Sequence, residues 1–119
     1  MRVETRRWLR YADDELDTAR VTHAGGRWTA TSFHAQQAVE KALKGLWLEQ
    51  EGAEPPRVHD LVRLAEEVSL PSQWNEELDA LSRVYIVSRY PETAVEDGEP
   101  YGIDQATASG HFELAERII

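Results

Sequence analysis

The segment TSFHAQQAVEKALKGLW, residues 31–47, constrains the fold more than any other, because at helical spacing it divides into three sectors. Thr31, Ala35, Ala38, Ala42 and Gly45 form a ridge of small residues along which a neighbouring helix can approach closely. Phe33, Val39, Leu43, Leu46 and Trp47 form a large apolar face, and His34, Gln37, Lys41 and Lys44 a polar, mildly basic stripe expected to face water. Gln36 and Glu40, one turn apart, fall inside the apolar sector. An unpaired polar group there costs about 1–3 kcal/mol, so both are expected to have partners on a neighbouring helix, for instance an arginine.

The flanking sequence supplies more helices and no strand. Trp8, Ala12, Leu16 and Ala19 share a face while Asp13, Asp14 and Asp17 point away, which predicts a helix over residues 3–22. Gly25 and Gly26 break it, and Gly52 ends a second helix over 29–50. Pro55 and Pro56 make a linker, Asp60 can cap a short third helix, and Ser72 a fourth running from Trp74 towards Tyr90, where Pro91 stops it. Asp104 can cap a last helix carrying Ala108, Phe112, Ala115 and Ile119 on one face. The expectation is an all-α bundle of four main helices and one short one, with residues 1–119 as a single domain.

Function classes fall away on composition. With no cysteine there is no disulfide scaffold, thiolate metal site or cysteine nucleophile, and no two histidines stand at metal-ligand spacing; no metal and no cofactor are expected. No apolar run approaches the roughly 20 residues of a membrane span, and MRVETRRWLR is charged where a signal peptide turns apolar, so the expected location is cytoplasmic. The net charge of −9 argues against broad attraction to nucleic acid. It sits almost wholly in residues 51–119, with 5 Lys+Arg against 15 Asp+Glu, so an anion would have to be met by a local cluster.

The fourth helix is apolar on two sides. Trp74, Leu78, Leu81 and Tyr85 make a face the bundle can bury, while Ile86, Val87 and Tyr90 lie elsewhere beside Arg83. A bundle covers one face of each helix, so the second face points to a homodimer through Ile86, Val87 and Tyr90, or to another protein.

FHAQQAVEKALKGLW, followed past a proline linker by VHDLVRLAEE, resembles the HEPN (higher eukaryotes and prokaryotes nucleotide-binding) domain family, and WLRYADDELDTA and SRYPE are similar to the same family. The resemblance implies an antiparallel up-and-down bundle, homodimerisation, and a minimal nucleotidyltransferase as neighbour in a toxin–antitoxin-like setting. It also implies that some relatives are metal-independent ribonucleases carrying Arg-x(4 to 6)-His on the fourth helix. With Arg83 on that arginine, Ser88 stands where the histidine would be at the shortest spacing, and serine does not titrate near neutrality. No catalytic residue is therefore assigned. The leading expectation is a homodimeric binding module for a nucleotide or RNA, its ligand placed where His34, Lys41 and Lys44 come nearest Arg83, Arg89 and Tyr90. The alternative is a ribonuclease with a replacement histidine such as His34.

Overall fold

The computed structural model describes residues 1–89 and 103–119, the side chains of 87–89 excepted. Five helices follow in order: α1 (Val3–Ala24), α2 (Trp28–Glu51), α3 (Leu61–Glu67), α4 (Asn75–Arg89) and α5 (Gln105–Ile118). They form the expected all-α bundle, and the described residues contain no strand.

Local chemistry sets most helix ends. Gly26 (φ 72°) completes the turn between α1 and α2, and Gly52 (φ 69°) ends α2 in the left-handed region, where a Cβ would be strained. The Asp60 carboxylate accepts from the amides of Val62 and Arg63, and that of Asp104 from the Thr107 amide at 2.8 Å. The Thr107 bond holds the Asp104 pKa below its ordinary value. α4 departs slightly from expectation: the chain enters it through a 3-10 turn over Ser72–Trp74.

The small-residue ridge does what its composition implies. A Cβ built on Gly45 would lie 2.9 Å from the Trp8 Cβ and 3.5 Å from the Thr5 carbonyl oxygen, so α1 lies on α2 with no room for a methyl group. Thr31, Ala35 and Ala38 are fully buried, as are Ala12 and Ala19 of α1. On the other side of α2, Val39 and Leu43 join Leu61, Leu64, Leu78, Leu81 and Leu114 in the main core. Two sequence expectations shift. Leu46 is exposed, and Trp8 is half-buried, lining a pocket of about 260 Å³ with Arg7, Tyr11 and Leu48.

α5 is fastened by two imidazoles isolated in sequence. His23 Nε2 lies 2.8 Å from Ser109 Oγ, its ring stacked on Phe112, and His111 Nδ1 lies 2.8 Å from the buried Ser32 Oγ. Burial lowers the His111 pKa from its ordinary 6.5, because desolvation disfavours the imidazolium. Below that value the unfolded chain binds the proton more readily than the folded one. The resulting stability is complete above about pH 6.5 and is lost as the pH falls towards the folded-state value. His111→Gln, which keeps a polar partner for Ser32, is expected to flatten the fall in urea midpoint between pH 7 and pH 5. An unchanged slope would show that His111 does not carry this acid sensitivity.

Candidate functional site

The site is built on the polar residues that α2 sends into the interior. Gln36, Glu40 and Lys44 stand at successive four-residue steps and are all buried. The Glu40 carboxylate accepts from Gln36 Nε2 at 2.9 Å and from Lys44 Nζ at 3.0 Å, and it faces His59 Nδ1 at 3.0 Å. Gln37 Nε2 donates in turn to Gln36 Oε1 at 2.8 Å. A buried carboxylate survives only when paired and hydrogen-bonded, and this one is. The sequence pointed to partners on a neighbouring helix, for instance an arginine; the structure instead supplies Lys44 from α2 itself, one turn on, and His59 from the linker before α3.

His59 carries the network to the surface. Its ring stacks on Tyr85 of α4, with centroids 3.8 Å apart and planes 16° apart, while 45% of its side chain is exposed. His59 and Tyr85 line a pocket of about 390 Å³ with Asp60, Asp79, Arg83 and Ile86. Ser82, which also lines it, accepts at Oγ from the Leu61 amide at 2.8 Å, and this ties the start of α3 to α4. Arg83 pairs with Asp79, one turn back, at 2.7 Å. Both ends of this pair are mostly in water, so it contributes little, and an incoming anion can compete with Asp79 for the guanidinium.

The expected ligand residues divide into groups. His34 and Lys41 turn towards α1, where Glu15 lies 3.5 Å from His34 Nδ1 and 3.6 Å from Lys41 Nζ. Lys44 corrects the sequence reading: it is buried beside Glu40 rather than facing water, and its ammonium sits 6.0 Å from the centre of the Trp8 ring. A helical wheel assigns an angle without knowing where the neighbouring helix lies, and α1 covers this part of the stripe. Among the described residues no ion pair or hydrogen bond joins His34 or Lys41 to Arg83. Lys44 does connect to the Arg83 pocket, through Glu40 and His59. Ile86 is 52% exposed beside Arg83, as a second apolar face requires. The side chains of Val87 and Arg89, and all of Tyr90, lie outside the described residues.

From sequence alone His59 reads as a capping or packing residue and Tyr85 as bundle face. The available signal is Glu40, a buried acid in need of a donor, with VHD returning the chain after the proline linker. Among the described residues no group of three or more His, Cys, Asp or Glu could hold a metal ion, and no helix is long and apolar enough to cross a membrane.

A model of the HEPN domain matches residues 5–119, nearly the whole chain, and the protein belongs to the HEPN domain family. Two solved structures agree. TT1696 from Thermus thermophilus is 30% identical and superposes with a TM-score of 0.84 over 96% of this chain and 91% of that one. ST0689, described as an archaeal HEPN homologue, is 31% identical with a TM-score of 0.77 over 96% and 90%. No protein of curated function matches the chain.

Proposed function

We propose that this HEPN protein is a homodimeric binding module for a nucleotide or RNA, working beside a minimal nucleotidyltransferase, with the ligand phosphate at Arg83. The observation that carries the reading is the pocket itself: an arginine whose described counter-ion is a solvent-exposed aspartate, set beside an aromatic pair and a carboxylate-held imidazole. The planar fork of arginine suits phosphate, and a local cation can hold an anion against a net charge of −9. Ile86, apolar and exposed on the same helix, supports dimerisation next to the pocket. The nucleotidyltransferase partner rests on the family relationship.

The ribonuclease alternative changes its histidine. His34 pairs with Glu15 towards α1, whereas His59 shares a pocket with Arg83 and has its Nδ1 fixed by Glu40. A carboxylate that orients an imidazole is a recurrent arrangement for proton transfer.

One set of measurements tests both readings. Calorimetric titration with nucleotides and short RNA is expected to show binding that weakens at least about tenfold in Arg83→Ala, the loss of a charge-assisted phosphate contact. Light scattering is expected to show a dimer in the wild type and a monomer in Ile86→Glu, because a charge desolvated at the seam is unfavourable. RNA left intact without metal supports the binding module. Cleavage lost in both Arg83→Ala and His59→Gln would establish the ribonuclease instead.

A further inference from the structure

We infer that His59 is the base-stacking platform of this site, and that the site therefore takes a nucleotide whose base is unpaired: a free nucleotide or a single-stranded end. The inference rests on the binding reading above, with phosphate at Arg83, and adds what holds the other half of the ligand.

Three constraints fix the His59 ring. Tyr85 covers one face at a 3.8 Å centroid distance. Glu40 holds the Nδ1 edge, its two oxygens at 3.0 and 3.2 Å. Glu40 is itself immobilised in the interior by Gln36 and Lys44. Yet nearly half of the side chain remains in water, on the wall of a pocket that also contains Arg83. Among the described residues Tyr85 takes one face and Glu40 the Nδ1 edge, which leaves the opposite face and the Nε2 edge for a ligand.

An exposed aromatic ring normally moves among rotamers and loses that freedom on binding. This one is already ordered, so a base placed on it completes a column of base, His59 and Tyr85 with little further ordering. The pocket, at about 390 Å³, falls within the roughly 300–1,000 Å³ of small-ligand sites. Stacking is indifferent to base identity because every base has a π-face, so the site discriminates base from no base, and unpaired from paired. A base inside a duplex would first have to be unstacked and unpaired.

The test compares AMP with ribose 5-phosphate, which carries the same phosphate and sugar without the base, by calorimetry on the whole protein. Wild type is expected to bind AMP about tenfold more tightly or better. His59→Ala should reduce the ratio to about one, and His59→Phe, which retains a flat ring, should keep it. Arg83→Ala should weaken both ligands alike. Equal affinity of the two ligands for the wild type, a comparison that needs no variant, overturns the inference, as does a ratio that survives His59→Ala. In either case phosphate binding that still depends on Arg83 leaves the binding module standing. If neither ligand binds, the binding reading falls and this inference with it.

Discussion

Replacing Glu40 by alanine is expected to remove about 3–5 kcal/mol of stability, the cost of leaving a buried charge without its counter-ion. Lys44, its side chain only 9% exposed, would lose its carboxylate, and Gln36 and His59 would lose an acceptor at the same time. The lower part of the range is favoured by the Trp8 ring, which lies 6.0 Å from the ammonium and offsets some of the loss. Against a total of about 5–15 kcal/mol for a domain of ordinary stability, this is a large fraction. Urea denaturation followed by circular dichroism measures it. A double variant, Glu40→Leu with Lys44→Met, is expected to recover the part of the loss due to the stranded ammonium, since apolar groups of similar volume often replace a buried pair at no net cost, while Gln36 and His59 remain without their acceptor. A Glu40→Ala protein within about 1 kcal/mol of wild type would mean that Lys44 escapes to water and that the network is not a structural unit.

Gly45→Leu is the second large effect expected, on the order of 3 kcal/mol or more: the end of the Leu9 side chain, 3.4 Å from an added Cβ, can give way, but the nearest atom, Trp8 Cβ, and the Thr5 backbone belong to the stem of α1. Trp8 Cβ at 2.9 Å and the Thr5 carbonyl oxygen at 3.5 Å can yield only if α1 moves outward, which opens the Ala12 and Ala19 contacts as well. Alanine separates packing from propensity. At Gly45 it gains about 1 kcal/mol of helix propensity but still meets Trp8, for a net loss. At Gly110 in α5, where none of the described residues comes within 4 Å of an added Cβ, the same change is expected to stabilise by about 0.5–1 kcal/mol. Opposite signs in thermal or urea unfolding support the close approach of α1 to α2. A stabilising Gly45→Ala would contradict it.

The helices were legible because their signals are local. Asp60 and Asp104 cap where their position before an apolar run indicates, Gly52 ends α2 in the left-handed region, and the small-residue ridge on α2 meets α1. The interior position of Gln36 and Glu40 was legible for the same reason, since burial follows from angle on the helix. Their partners were only half legible. Lys44 is one turn from Glu40, but on a wheel it falls in the polar stripe, and the flexible stem that bends it inward leaves no periodic trace. His59 is 19 residues away across two prolines, and only the three-dimensional return of the linker brings it to Glu40. The pocket had no sequence signature, because it joins that linker to the outer side of α4. Arg83 stands out by its place in RVYIVSRYP; the ring pair beside it does not.

The hydrogen bond from the Leu61 amide to Ser82 Oγ has a practical meaning for testing the proposed ligand class. It ties together two segments 21 residues apart, both of which line the pocket, through His59 and Asp60 on one side and Ser82 and Arg83 on the other, so a molecule bound there would add a second tie. Anything that binds the folded chain and not the unfolded one stabilises it by mass action, by about 2.7 kcal/mol at a hundred times the dissociation constant, and so raises the melting temperature. Melting curves recorded across a library of small phosphorylated metabolites would thus rank occupants of this pocket without labels, without a coupled assay and before any reaction has been assigned.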